Sequence, residues 1–180
     1  MYWGIYDNYT IRTVKPKGEN SILIRLLEPP YLTRGIDYKI YHIDKYKAVL
    51  ELYIDDIREI FSDECYTRFK IFNSAHAMEL ISFIQAHEFD EVNVHCSAGV
   101  SRSSAIMICI SKILNLKEIE ESILNSSRYL PNPLIIDTFN KTFNPQLIKN
   151  ISYEKLEQTN KKTDEVVDLI EVEKGVFKLC

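Results

Sequence analysis

A cysteine and an arginine six positions apart are the residues of this sequence whose types and spacing could do chemistry together. Cys96 and Arg102 lie in the stretch VNVHCSAGVSRSSAIMICISKIL, from Val92 to Leu114. The stretch begins apolar and β-branched, as in a buried strand, and ends with the apolar spacing of a buried helix. The residues between the cysteine and the arginine are small or uncharged: Ser97, Ala98, Gly99, Val100 and Ser101. The pattern therefore predicts a tight loop that joins a strand to a helix.

The chemistry of this predicted loop suits an anion. The start of a helix exposes unpaired backbone N–H groups and the positive end of the helix dipole. Small residues let the loop curl so that successive N–H groups point inward and form an anion-binding nest. Arg102 adds a planar guanidinium that can hold two oxygens of a phosphate. The same field favours Cys96 as a thiolate, so we expect it to attack the phosphorus of a bound phosphoryl group.

Three strands and four helices are predicted to position the loop. The strands are short, apolar and β-branched: Ser21–Leu27, Ala48–Ile54 and Glu91–His95. The helices follow from apolar periodicity and capping residues: one after Asn73 or Ser74 with Ala77, Leu80, Ile81 and Ile84 on its apolar face, one from Arg102, an outer one over Leu116–Ser126, and one near Pro133 with Asn132 as its cap. This order predicts an α/β domain with a mainly parallel central β-sheet flanked by α-helices on both faces.

Two regions do not follow this alternation. The stretch Ile57–Ile71 is long for a connection between a strand and a helix, and it predicts a helix of its own or a lid. Residues 146–180 turn polar and then alternate, so we expect an extension with an added strand or hairpin. The catalytic domain is accordingly predicted over residues 1–145, with its core at residues 21–143.

Composition and charge exclude several classes of protein. The chain has 180 residues, which is enough for one good hydrophobic core. Its net charge of −4 gives no electrostatic reason to expect nucleic acid or an anionic membrane as a partner. No apolar run reaches membrane-spanning length, and the first residues do not resemble a secretion signal. Because the four cysteines lack paired spacing, we expect reduced thiols and a cytoplasmic protein.

The segment His95–Ser103 resembles a known signature. Its sequence, HCSAGVSRS, fits the pattern H-C-x-x-G-x-x-R-S/T of the cysteine-dependent protein tyrosine phosphatases at every fixed position. A chance match in a chain of this length has a likelihood on the order of 10⁻⁵. The resemblance covers roughly Ser21 to Phe143, and the small size is similar to the dual-specificity branch. It implies the dual-specificity phosphatase fold and a hydrolase of phosphate monoesters that uses no metal or cofactor.

The roles of the family's residues transfer to the matching positions. The resemblance implies that Cys96 takes the phosphoryl group as a thiophosphate ester and that Arg102 stabilises the equatorial oxygens in the transition state. It implies that His95 holds the loop through hydrogen bonds and helps to keep Cys96 ionised. Ser103 would hydrogen-bond the sulfur and ease its departure, and Asn132 would brace the loop from the later helix. The residues between the cysteine and the arginine would bind the substrate phosphate.

The leaving oxygen also needs a proton, because an unprotonated alkoxide or phenoxide leaves poorly. The family supplies an Asp after the preceding strand, and here Asp55 and Asp56 follow the second predicted strand. The resemblance favours Asp56, with Asp63 as the alternative because its distance along the chain from Cys96 is closer to that in many family members. Ile57–Ile71 is then an insertion relative to the family. A pair of aspartates at a strand end also commonly caps a turn, so a structural role stays open.

The expected function is hydrolysis of phosphotyrosine, and also of phosphoserine and phosphothreonine, in phosphorylated protein substrates. One alternative is a phosphatase of phosphoinositides or of RNA 5′-phosphates, and another is an inactive protein that binds phosphate. Relatives that act on phosphoinositides carry lysines inside the loop, whereas this loop has none. No nucleic acid, membrane or metal partner is expected.

Overall fold

Four parallel strands form the central sheet of the protein. The computed structural model describes residues 1–29 and 39–143. The strands are β1 (Tyr2–Tyr6), β2 (Ser21–Leu27), β3 (Ala48–Tyr53) and β4 (Glu91–His95). They lie in the order β1-β4-β2-β3, and every neighbouring pair is parallel. Their carboxyl ends therefore meet at one edge of the sheet, where ligands bind in α/β proteins.

The strand β4 lies between β1 and β2 and is buried along its whole length. Its register places His95 between Tyr6 of β1 and Arg25 of β2. The residue after His95 therefore leaves the sheet near its centre, with the ends of two other strands on either side. This placement gives the loop after β4 neighbours from distant parts of the chain.

Five α-helices and two 3₁₀-helices are described in residues 1–29 and 39–143. They are α1 (Glu64–Arg68), α2 (Ser74–Ala86), α3 (Arg102–Leu114), α4 (Lys117–Leu124) and α5 (Pro133–Thr142), with 3₁₀-helices at Thr10–Arg12 and Ile43–Lys45. The Asn73 side chain accepts from two backbone N–H groups at the start of α2, and Asn132 accepts from Ile135 N in α5. Asn115 ends α3 in the left-handed conformation, with φ of 56°.

The core lies between the sheet and these helices. The helix α3, buried at every residue except Lys112, packs on β4 and β1, and α2 packs on β3 and α3. A second cluster joins Leu23 of β2 to Ile11 of the first 3₁₀-helix, Ile40 and Tyr46. Because successive strand residues point to opposite faces, both faces of β2 are buried.

The predicted α/β class and parallel sheet are confirmed, and so are the three predicted strands and four predicted helices, to within one or two residues at most ends. The strand β1 is not predicted by the sequence pattern, because its five residues include Gly4 and do not alternate clearly. It extends the sheet to residues before the predicted core. The stretch Ile57–Ile71 contains the short helix α1. The strand or hairpin predicted in residues 146–180 lies outside the described residues.

Among the helices that the structure describes, none combines the length and the apolar character needed to cross a membrane.

Candidate active site

The loop between β4 and α3, residues 96–101 (the β4–α3 loop), carries the predicted nucleophile at its first position. Cys96 is 1% exposed, and its Sγ lies 3.2 Å from Ser103 Oγ in the first turn of α3. The backbone N–H of Cys96 donates to Tyr6 O at the end of β1, at 3.3 Å. Cys96 is therefore held through its backbone by β1 and through its thiol by the first turn of α3.

Three carbonyl groups of the loop point away from its interior. Ser97 O accepts from Asn8 N, Val100 O from Leu130 N and Ser101 O from Asn132 N, each at 3.2 Å. In a planar trans peptide the next N–H points opposite to the carbonyl. The N–H groups of the following residues therefore face the other way, toward the inside of the loop: Ala98, Ser101 and Arg102. This is the arrangement of an anion-binding nest.

Gly99 allows this loop to lie directly on the end of β1. Its φ is +67°, and a Cβ atom built there would lie 2.7 Å from Asp7 N and from the carbonyl carbon of Tyr6. Both the left-handed conformation and the close approach of the two backbones therefore require glycine at this position. The Asp7 carboxylate accepts from the N–H groups of Tyr9 and Thr10, so the segment that supports the loop is itself a hydrogen-bonded turn.

Arg102 is oriented by partners on two sides of its guanidinium. Nη1 donates to Ile54 O at 2.8 Å, and Nη2 donates to Ser97 Oγ at 2.9 Å. Glu28, directly after β2, accepts from Ser97 Oγ at 2.6 Å and lies 3.5 Å from Arg102 Nη2. Arg102 Nε has no hydrogen-bond partner within the described ranges, and Asp56 Oδ2 lies 3.8 Å from it. The guanidinium plane is thus fixed, with Nε still able to donate to an oxygen.

His95 is buried at the end of β4 and holds the loop indirectly. Its Nδ1 lies 3.0 Å from Asn8 Oδ1, and the N–H of Asn8 donates to Ser97 O. Burial, followed by the positive charges of Arg25 and Arg102, lowers the pKa of His95 to about 3. The ring is neutral near pH 7, so it supplies no positive charge to Cys96.

Asp56 is the candidate acid that the structure brings to the loop. Its Oδ1 accepts from Ser101 Oγ at 2.8 Å and from Asn132 Nδ2 at 2.7 Å. Its Oδ2 faces Arg102 Nε, and the side chain is 37% exposed. A carboxyl held by two donors at the rim of the loop, and open to solvent on one side, can exchange a proton with a bound leaving group.

Asp55 and Asp63 occupy different surroundings from Asp56. Asp55 is buried, its Oδ2 accepts from Lys70 N at 2.7 Å, and its own N–H donates to Lys70 O at 2.9 Å. It therefore closes the base of the segment between β3 and α2, residues 54–73 (the β3–α2 segment). Asp63 is exposed before α1 and makes no capping hydrogen bond there.

Two further residues connect the β3–α2 segment to the loop. Asn132 is fully buried, and its Nδ2 donates both to Asp56 Oδ1 and to Ile57 O, the second at 3.0 Å. Arg58 donates from Nη1 to Ser101 Oγ at 3.1 Å and to Leu130 O at 2.9 Å. Asn132 therefore contacts both the loop, through its N–H to Ser101 O, and the predicted acid.

Three residues of this site are absent from the sequence-based predictions: Asn8, Glu28 and Arg58. Asn8 and Glu28 each follow a strand by one or two residues, so the rule that ligand sites form beyond the carboxyl ends of parallel strands could have indicated them. Arg58 has no such signal, because it does not directly follow a strand but lies on the exposed part of the β3–α2 segment.

A cavity of about 300 Å³ adjoins the loop at Ser97. Its lining residues come from the segment after β1, from the end of β2 and from the loop: Asp7, Asn8, Tyr9, Arg12, Glu28 and Ser97.

Residues 1–29 and 39–143 contain no group of three or more His, Cys, Asp or Glu side chains that could hold a metal ion.

Searches of protein-family models and of curated proteins give no match to this chain.

The arrangement brings five chemical groups together at the β4–α3 loop. A buried thiol lies at the base of a loop whose N–H groups point inward, and a fixed guanidinium lies beside it. A hydroxyl contacts the sulfur, and a half-exposed carboxyl lies at the rim. Together they suit nucleophilic attack on a bound tetrahedral anion that carries a basic leaving group.

Proposed function

We propose that this protein is a cysteine-dependent phosphatase that hydrolyses phosphotyrosine, and also phosphoserine and phosphothreonine, in protein substrates. The observation that carries the proposal is the β4–α3 loop itself, which begins at the buried Cys96 and to which Arg102 is held by Ile54 O and Ser97 Oγ. The signature His95–Ser103, at every fixed position of the phosphatase pattern, supports the same conclusion.

In the first chemical step, the Cys96 thiolate attacks the phosphorus of the bound monoester. The S–P bond forms as the P–O bond to the substrate breaks, and protonated Asp56 gives its proton to the departing oxygen. The inward N–H groups and Arg102 stabilise the charge on the three equatorial oxygens. The products are the free alcohol or phenol of the substrate and a thiophosphate ester on Cys96.

In the second step, water attacks the phosphorus of the thiophosphate ester. Asp56, now a carboxylate, takes the proton from that water, and the S–P bond breaks to release inorganic phosphate. The Ser103 hydroxyl, 3.2 Å from Sγ, can donate to the sulfur as negative charge returns to it. Cys96 then returns to its starting form and Asp56 to its protonated form.

The test is turnover of phosphotyrosine, phosphoserine and phosphothreonine peptides, of a phosphoinositide and of an RNA 5′-phosphate, side by side with a chelator present. We expect the phosphopeptides to be hydrolysed, with phosphotyrosine fastest. Cys96→Ser should lose activity by about 10⁴-fold or more, because a hydroxyl is far less ionised than a thiol. Turnover of the phosphoinositide or the RNA 5′-phosphate alone would show that the substrate is one of these and not a phosphoprotein. Retained activity in Cys96→Ser would exclude the covalent mechanism.

A further inference from the structure

Arg58 makes an unusual set of contacts for a residue on an exposed segment. Nη1 donates to Ser101 Oγ and to Leu130 O, and Nη2 donates to Pro131 O at 3.4 Å. Arg58 lies two residues after Asp56, so it connects the predicted acid to two other elements of the site. We propose that Arg58 is a positioning residue, which holds the Asp56 carboxyl where it can protonate the leaving group. This inference rests on the proposed function.

The contact with Ser101 determines where the serine proton points. A hydroxyl has one proton to donate and two lone pairs, whereas a guanidinium only donates. Ser101 Oγ must therefore accept from Arg58 Nη1, and its own proton is left for Asp56 Oδ1, 2.8 Å away. Arg58 thus orients the serine hydroxyl as a donor to the acid, and the acid is held through Ser101.

The contacts with the two carbonyls give Arg58 a fixed point of attachment. Leu130 and Pro131 lie just before α5. Two hydrogen bonds join this stretch to the β4–α3 loop: Leu130 N donates to Val100 O, and Asn132 N donates to Ser101 O. Arg58 therefore attaches the β3–α2 segment to the same frame that carries the anion nest. Asn132 holds the segment from the buried side and Arg58 from the exposed side.

The same contacts separate this role from two simpler ones. An exposed arginine usually contributes little to the stability of a protein. If Arg58 had only a structural role, its substitution should therefore change stability and activity little. A residue that bound the substrate phosphate would aim its guanidinium into the nest. Arg58 instead donates to two backbone carbonyls and to the Ser101 hydroxyl, which in turn donates a hydrogen bond to Asp56. Its effect is therefore expected in proton transfer rather than in phosphate binding.

The experiment compares Arg58→Ala with wild type on two aryl phosphates, one with a basic phenol and one with an acidic phenol as leaving group. A misplaced acid should lower kcat/KM about tenfold on the basic phenol and less than about twofold on the acidic phenol, which leaves without a proton. The inhibition constant of inorganic phosphate should stay within about twofold of wild type. Arg58→Lys should recover only part of the loss, because an ammonium cannot span the hydroxyl and both carbonyls.

Two further variants make the test specific. In an Asp56→Asn background, Arg58→Ala should cause no additional loss, because a residue that acts through the acid has nothing left to position. Arg68→Ala is the matched control, since Arg68 is an exposed arginine of the same segment that ends α1. It should behave as wild type, and thermal unfolding should show that all of the variants are folded.

Each other outcome contradicts the inference in a recognisable way. An equal loss on both phenols, or a weaker inhibition by phosphate, would show that Arg58 shapes or contacts the nest. An additional loss in the Asp56→Asn background would show that it acts independently of the acid. Wild-type kinetics in Arg58→Ala would overturn the positioning role while leaving the proposed function intact. No turnover by the wild-type protein on any phosphate ester would overturn the proposed function, and the role of Arg58 with it.

Discussion

The β4–α3 loop and the β3–α2 segment leave the same edge of the sheet, but different forces hold them. The loop is fixed mainly by backbone: Cys96 N bonds to β1, three loop carbonyls accept from neighbouring N–H groups, and Gly99 lies on the backbone of Tyr6 and Asp7. The segment is mostly exposed, with Phe61 82% exposed, and side chains hold its first residues.

This difference matches what the two regions must do in the proposed reaction. A nucleophile and its anion nest need a geometry that does not change between substrates, and backbone contacts provide it. An acid has to meet leaving groups of different shapes and then activate a water. An acid carried on a segment that a few side chains hold can be displaced without disturbing the nest. Variants in the loop should therefore affect every substrate, whereas variants in the segment should affect only those that need a proton.

After the Cys96→Ser variant, the largest effect is expected for Arg102→Lys, which changes a side chain that contacts both regions, at Ser97 Oγ and at Ile54 O. A lysine cannot donate to Ile54 O, to Ser97 Oγ and to a phosphate in one fixed plane, so kcat/KM should fall about 10²–10³-fold. The fall should be similar for acidic and basic leaving groups, and phosphate should inhibit more weakly. Steady-state kinetics with both phenols measure this. Near wild-type kcat/KM would mean that charge alone is sufficient.

The second effect is the loss of the acid in Asp56→Asn. With an aryl phosphate whose leaving group is a basic phenol, kcat/KM should fall about 10²-fold. With an acidic phenol as leaving group, the loss should shrink to a few-fold. Asp63→Asn is the control, because Asp63 is exposed and makes no capping hydrogen bond. If Asp63→Asn gave the leaving-group dependence and Asp56→Asn did not, Asp63 would be the acid, and it would act from the distal part of the β3–α2 segment.

The third effect concerns the backbone that supports the loop. Gly99→Ala introduces a Cβ atom 2.7 Å from the backbone of Tyr6 and Asp7, at a φ of +67°. We expect the free energy of unfolding to fall by about 2 kcal/mol or more, since the left-handed conformation alone costs an alanine roughly 1–2 kcal/mol. Gly18→Ala is the matched control, because a Cβ atom there has no neighbour within 4 Å. Urea denaturation of both variants would reveal equal stabilities if the loop did not depend on β1.

Much of the fold could be predicted from local sequence patterns. The strand β4, the helix α3 and the Asn132 cap depend on residues within about one turn of one another, and periodicity and capping chemistry record such relations directly. The nearness of Cys96 to Arg102 was predictable for the same reason, because the two residues are six positions apart along the chain. Which of the three aspartates meets Ser101 and Asn132 could not be read from local patterns, since only the fold brings Asp56 to them.

Contacts between distant parts of the chain account for what could not be predicted. The position of Glu28 after β2 could have indicated it as a site residue, but its pairing with Arg102 spans 74 residues, and that of Arg58 with Leu130 spans 72. These pairs meet because β2 and β3 lie on one side of β4, an order that no local pattern records. The strand β1 is missed for a related reason. It is a strand because β4 offers it an edge, and its own five residues have no clear alternation.

The smallest effect is a pH dependence of stability from His95, at the root of the loop. Burial lowers the pKa of His95 from an ordinary value of 6.5 to about 3 in the folded protein. As the pH falls below 6.5, the unfolded chain therefore binds a proton that the folded protein does not, and stability decreases. This one group contributes a slope of at most about 1.4 kcal/mol per pH unit, and above pH 6.5 its contribution is constant.

The variant His95→Asn should remove this slope while keeping an N–H donor near Asn8 Oδ1, which lies 3.0 Å from Nδ1 in the wild type. Urea denaturation between pH 5.0 and 6.5 should show wild type losing stability faster than the variant as the pH falls, and the two should run parallel between pH 7 and 8. His76, whose pKa burial also lowers, contributes in the same window, so His76→Asn should reduce the slope by a separate amount. If wild type and His95→Asn had equal slopes, the His95 ring would be protonated or hydrated in the folded state. The base of the β4–α3 loop at His95 would then be accessible to solvent, as the β3–α2 segment is. The two regions would not differ in burial at that point.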